Sequence, residues 1–270
     1  MQLFGVDFTS APSRRKAITI AAGHLDGDRL VLERLASLHD FPSYEAWLRQ
    51  AGPWLGAFDF PFSLPRELVE NLGWPLAWPA LIRHVSLHSR PALRDLFKAF
   101  CDARPAGNKF VHRATDLPAG SSSPMKWVNP PVAWMLHAGA ARLLDAGVTV
   151  PGLHPGDPER IAVEAYPGMV ARSITRRSYK SDDPRKQNDA RTAERALILD
   201  AVAAGDHPLG IPVDCGAQRA ALLADASGDL LDAVLCLLIA GWCWQRREHA
   251  YGLPSFDPLE GWIAAAENFG

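Results

Sequence analysis

The sequence predicts an α/β domain built on a mixed sheet, and three observations predict it. Residues 2–7, 17–22 and 29–36 are rich in Val, Ile and Leu, and turn-like breaks (Ser13-Arg14-Arg15-Lys16 and Asp26-Gly27-Asp28) separate them into a meander. A short helix follows, opened by Pro42-Ser43 with Glu45 close behind and running to about Gln50. A fourth apolar run, 54–60, is stopped by Pro61. Three meandering strands, a helix and a fourth strand are the opening of an α/β domain. At 270 residues and 48% hydrophobic content the chain can bury a sizeable core, and it reads as one domain over 1–270.

The later elements follow the same logic. Residues 62–125 hold many Pro and Trp residues, weak helical stretches at about 65–72 and 91–103, and a Gly/Ser-rich loop at 119–123, and read as an insertion or cap over the sheet. A helix from Pro131 to Ala146 takes its apolar face from Trp134, Leu136, Leu143 and Leu144 and stops at Gly147. A strand at 160–166, a short helix at 168–175, a charged loop at 176–191 and a helix at about 190–204 ending at Gly205 come next. A long apolar helix from about Gly228 to Arg246 closes the pattern, and no internal repeat is present.

Composition narrows the function classes. A net charge of −2 gives no global field favouring nucleic acid or membrane, although a local basic patch remains compatible with it. The four cysteines (Cys101, Cys215, Cys236, Cys243) lack metal-type pairing and suit core packing in a reduced, cytoplasmic setting. The N-terminus shows no signal-peptide pattern, and the longest apolar stretch, 230–244, carries Asp232 and is too short for a membrane span. No membrane partner is expected.

Chemistry is expected where acids interrupt apolar runs. Gly5-Val6-Asp7, Ala57-Phe58-Asp59-Phe60-Pro61 and Val163-Glu164-Ala165-Tyr166-Pro167 each end a strand at or near a carboxylate. A carboxylate in an apolar strand is costly to bury unless it is hydrogen-bonded or binds a cation, so Asp7, Asp59 and Glu164 point to one shared site suited to a divalent metal. Asp229 and Asp232, three apart at the start of the last helix, share a face. Asp229 reads equally well as a helix cap, whereas Asp232 sits among residues that must face the core.

The segments GVDFTSAP, FDFPFSLP, VEAYPG and GDLLDAVLCLLIAGW resemble a predicted-nuclease family of unknown function with the ribonuclease H-like fold, related to Holliday-junction resolvases. The resemblance covers most of the chain and is weakest over 62–125. It implies a mixed five-stranded sheet flanked by helices, with the Pro/Trp-rich insertion. It also implies hydrolysis of nucleic-acid phosphodiester bonds by two metal ions, Mg²⁺ or Mn²⁺. In that reading Asp7 bridges the metals, Asp59 and Asp232 hold one each, and Glu164 or Asp229 completes a shell. The catalytic set is then Asp7, Asp59, Glu164 and Asp232.

Substrate contacts are expected from Thr9 and Ser10 in the turn after Asp7, which simple turn chemistry also explains. The basic stretch 172–195, with Arg176, Lys180 and Lys186, reads as a phosphate-contact surface with Tyr179 stacking on a base, or as a solvated face. The resemblance extends through Ser178-Tyr179-Lys180. His84 and His88 have metal-compatible spacing but fit one face of a short helix better. His112 and Arg113 precede the Ser-rich loop and read as a substrate contact or, better, as a surface loop; Trp74 and Trp78 read as a groove wall in the insertion or, better, as core. Two other functions keep the same fold: a non-catalytic nucleic-acid or protein-binding module, and an actin-like-fold phosphotransferase, for which the chain lacks a second half-domain and an adenine loop.

Overall fold

The computed structural model describes all 270 residues, the side chain of Pro184 excepted. A seven-stranded sheet runs in the order β5-β6-β4-β1-β2-β3-β7. Its strands are β1 (Gln2–Asp7), β2 (Ile18–Asp26), β3 (Arg29–Leu38), β4 (Trp54–Asp59), β5 (Val148–Thr149), β6 (Asp157–Glu164) and β7 (Val213–Asp214). Only β2 runs antiparallel to its neighbours; β1, β4, β6 and β5 pair in parallel, as do β3 and β7. The sheet is thus mixed, as predicted, but it has seven strands rather than five. The two additional strands are two-residue edges, too short to show any periodicity.

Ten α-helices are described: α1 (Phe41–Leu48), α2 (Arg66–Asn71), α3 (Trp78–Ser86), α4 (Arg90–Asp102), α5 (Asp116–Ala119), α6 (Val132–Ala146), α7 (Pro167–Ile174), α8 (Asp189–Ala204), α9 (Arg219–Ala224) and α10 (Asp229–Gln245). Their ends have local causes. Asp40 caps α1 by accepting from Ser43 N at 2.8 Å, one residue earlier than the Pro42-Ser43 signal suggests. Asn188 caps α8, and left-handed Gly147 and Gly205 end α6 and α8. In 62–125 the structure adds α5, which the sequence reading omits, and the short helix expected around His84 is α3, with Pro79 near its start, where a missing N–H costs nothing.

The sheet separates two apolar layers. Leu3, Leu55, Ala57, Ile161 and Val163 face α7, α8 and α10, while Phe4, Val6, Trp54, Phe58 and Ala162 face α1, α3 and α6. A third cluster, around Leu68, Leu81, Phe97 and Phe100, gathers α2 to α4 and shares Ala133 and Leu136 of α6, so the insertion is anchored through that helix. All four cysteines are buried and unpaired. Among the described residues no helix is long and apolar enough to cross a membrane.

Helix α10 lies directly on β1. From residue 231 to 243 its side chains are buried throughout. A Cβ on Gly5 would fall 2.0 Å from both Ala233 O and Leu237 N, so only glycine permits this spacing. Gly5→Ala should therefore cost about 3 kcal/mol or more, or prevent folding, because the obstacle is helix backbone and cannot turn aside. Chemical denaturation measures it; a stability within about 0.5 kcal/mol of the parent would show that the helix and sheet can part freely.

Candidate acidic site

Alternation along β1 decides where Asp7 goes. Leu3, Gly5 and Asp7 share the face that meets α10, and the close approach at Gly5 brings Asp7 to that helix's first turn. Asp59 ends β4, pairs in register with Asp7 and lies on the same face as Leu55 and Ala57. Asp229 and Asp232, in the first turn of α10, complete the group; both are buried, Asp232 fully. Four acids from three distant segments therefore meet at the carboxyl ends of two parallel strands. Asp7, Asp59 and Asp229 border a cleft of about 480 Å³ that Thr9, Ser10, Phe60, Met135 and Tyr166 also line, and Asp232 borders a second cleft beside it.

Their proximity shows in their protonation. Burial, then Asp232, Asp229 and Asp59, push Asp7 well above the ordinary carboxylate range against an opposing effect of Lys180. Burial and Asp232 raise Asp59 to about 7. Neither carboxylate accepts a hydrogen bond from the described residues. The other two are held by cations. Asp232 takes the Tyr179 hydroxyl at 2.5 Å and the Lys180 ammonium. Asp229 takes Lys16 Nζ at 2.8 Å, and Lys16 also reaches Asp182 at 2.9 Å. Burial alone would lower both lysines, but Asp232 raises Lys180 well above its usual value, and Asp229 and Asp182 raise Lys16.

Asp229 is not a cap. The residue before α10 is Gly228, and the helix's first turn is satisfied by Asp225, whose carboxylate accepts from Leu230 N at 2.8 Å. Gly228 has φ +77°, and a Cβ there would meet Lys180 Cβ at 2.6 Å. It thereby seats the Tyr179-Lys180 pair against Asp232.

Several sequence expectations change. Glu164 borders the same cleft and adds to the rise at Asp59, but it is turned to a different partner. In β6 it pairs with Phe58, so it lies on the opposite face from Asp59. Its oxygens accept from Arg113 at 2.6 and 2.8 Å and from Phe62 N at 2.9 Å. Arg113 is 1% exposed and also binds Asp116, so it is a buried cation and not the surface-loop residue expected; His112 beside it is exposed. Tyr179 is buried with its hydroxyl on Asp232 and cannot stack on a base. Thr9 and Ser10 line the cleft, and Arg176 lines a second one beside it. Lys186 is exposed and borders neither. His84 and His88 pack against Trp74, and His88 lies just past the end of α3. Trp78 is buried, its indole N–H on Phe62 O at 2.9 Å. The sequence reading missed Lys16, which it took for part of a turn, and Asp225, and it misplaced Arg113; no local pattern marks the role of any of them.

Among the described residues, no three His, Cys, Asp or Glu side chains are gathered closely enough to clasp a metal ion as they stand. The donor set nevertheless fits a divalent cation in part. Asp7 and Asp59 are adjacent, unpartnered and hard to ionise together, which is the condition a cation relieves. Asp232 and Asp229 fit only by releasing Lys180 and Lys16, and Glu164, locked to Arg113, does not fit.

Two outcomes follow. Asp59 has a folded-state value near 7 against an ordinary value near 3.8, so the folded state holds this proton more tightly than the unfolded chain does. Its contribution to stability is present below about pH 4 and is lost as pH rises to about 7. Asp59→Asn should then stabilise the metal-free protein at pH 8 by about 1 kcal/mol, or 2–4 °C in Tm, with little change at pH 4; a destabilised variant at pH 8 would show that the carboxylate is held by the fold. Arg113→Met leaves Glu164 and Asp116 buried without their cation and should cost about 3–5 kcal/mol in urea unfolding, and a near-neutral result would contradict the buried pairing.

No curated protein and no solved structure matches the chain. A family model matches residues 5–256, a span that includes Asp7, Asp59, Lys180 and Asp232, and the chain belongs to that family, DUF429, whose members are proteins of unknown function.

Proposed function

We propose that the protein is a divalent-metal-dependent hydrolase of nucleic-acid phosphodiester bonds. The observation that carries this reading is the side-by-side placement of two unpartnered carboxylates, Asp7 and Asp59, at the ends of parallel strands, with Asp232 delivered to them by α10. Three meandering strands with a fourth parallel to the first support the ribonuclease H-like resemblance. Mg²⁺ or Mn²⁺ held by Asp7 and Asp59, and by Asp232 once Lys180 releases it, would supply Lewis acidity and a bound water of lowered pKa.

The chain's own groups have distinct parts. Asp7 and Asp59, which hold protons tightly in the absence of metal, would exchange them for a bound cation. Lys180 and Lys16 pair with Asp232 and Asp229, and their ammonium groups are on hand to meet a phosphate when the carboxylates turn to metal. The Thr9 and Ser10 side chains border the same cleft and supply hydroxyls for the scissile group. Arg113 touches no reacting atom in this reading; through Glu164 it fixes the backbone at Phe62, just past Asp59.

A second reading rests on the same lysines: a cluster closed by Lys180 and Lys16 could serve a non-catalytic binding module. Metal binding separates the two. Calorimetric titration with Mn²⁺ should show binding that Asp7→Asn and Asp59→Asn each weaken at least about tenfold, and both variants should lose Mn²⁺-dependent cleavage of labelled oligonucleotides. Undiminished cleavage by both would refute the assignment, and absence of Mn²⁺ binding by the parent would favour the module.

A further inference from the structure

A second cleft, of about 340 Å³, adjoins the first, and both are bordered by Asp59, Tyr166 and Lys180. The two differ in character. The first is walled by Phe8, Phe60, Pro131, Val132 and Met135 around its acids. The second is lined by Arg172, Arg176 and Arg177 with Thr175 and Ser178. These arginines are not equally committed. Arg172 is tied to the Tyr166 hydroxyl at 2.8 Å and to Ala119 O at 2.8 Å. Arg177 reaches Glu194 only at 3.5 Å with its side chain 85% exposed. Arg176 is exposed and makes no ion pair among the described residues. Helix α7 also begins at this cleft, and Tyr166 before it offers no side-chain acceptor to its first turn.

Resting on the hydrolase reading, we infer that the substrate is a single-stranded nucleic acid, with one unstacked nucleotide in the apolar-walled cleft and the neighbouring backbone phosphate held by Arg176 and Arg177. Three features carry this. The acids are recessed: Asp7 and Asp229 are 7% exposed, Asp232 is fully buried and Asp59 is half-buried. A cleft of this volume lies in the range of about 300–1,000 Å³ that takes one small molecule, so it admits a single nucleotide and not a stacked base pair. A duplex would have to give up a base from its stack to reach the acids, and an unpaired strand does not. The cations then lie one step along the chain, where the next phosphate falls, and the apolar wall offers a base a face to lie against.

Fluorescence anisotropy in the presence of a chelator tests this with the whole protein and labelled oligomers of about 12 nucleotides. Oligothymidylate and oligouridylate represent the two single-stranded sources, and a dA·dT duplex of equal length is the comparison. We expect both or one of the single strands to bind at least about tenfold tighter than the duplex. The double variant R176A/R177A should weaken single-strand binding about tenfold and reduce the salt dependence by roughly one to two phosphate contacts, and R176K/R177K should restore most of it. Both arginines are exposed, so folding is not at stake. Equal or tighter duplex binding, or an R176A/R177A variant at parental affinity, overturns the inference. Mn²⁺-dependent cleavage is read separately. Arginine-dependent single-strand binding without cleavage supports the inference and sinks only the hydrolase reading; cleavage that prefers duplex sinks the inference and leaves the hydrolase reading standing.

Discussion

The contact between Gly5 and the backbone of α10 is the constraint on which the site depends. Side chains on β1 alternate, so whatever face Gly5 presents, Asp7 presents too. Because Gly5 lets α10 rest on the strand itself, Asp7 arrives within reach of the first helical turn. A larger residue at position 5 would hold the helix off by the width of a side chain and separate the acids. Gly228 plays the matching part at the other end, where its left-handed backbone and missing Cβ let the Lys180 segment close over Asp232. The geometry of the carboxylates thus follows from two places where a side chain is absent.

Charge balance explains why the arrangement is tolerated. Four carboxylates (Asp7, Asp59, Asp229, Asp232) face two ammonium groups, Lys16 and Lys180. Lys16 is shared between Asp229 and Asp182, and the carboxylates left without a partner, Asp7 and Asp59, are the ones whose proton affinities burial and neighbours raise. Unpaired buried charge is among the most destabilising features a fold can hold. The apolar length of α10, buried from Leu231 to Cys243, offsets that penalty.

The sheet, its meander and the long terminal helix were legible because strand and helix periodicities run for six or more residues in each. Edge strands of two residues carry no such pattern, and β5 and β7 could not be read. Asp7, Asp59 and Asp232 were legible as acids in apolar company. Lys16 was not, and Lys180 was read as a phosphate contact and not as the partner of Asp232, since Lys16 lies 213 residues from Asp229 and Lys180 lies 52 from Asp232. Long-range pairing leaves no spacing to recognise. Asp225 was missed for a different reason: it caps α10 from four residues before the helix, across the turn through Ser227 and Gly228, where a cap is not ordinarily sought.

Glu164 shows the limit of a motif and what lies behind it. Its segment repeats the pattern of Asp59, an apolar strand, an acid and a nearby proline, yet it belongs to the other side of the sheet. The register decides this: β6 pairs Glu164 with Phe58, one residue short of Asp59, and one residue in a strand reverses the face. There Glu164 meets Arg113 and, through it, Asp116 and Glu260 O, joining the insertion and the C-terminal segment to the sheet. The same carboxylate holds Phe62 N, three residues beyond Asp59. An acid that looks like a fourth ligand is thus the strut that fixes the wall of the cleft. The insertion, whose Ser121 and Ser122 form part of that wall, is coupled to the acids through adjacent strand ends and not through any side chain they share.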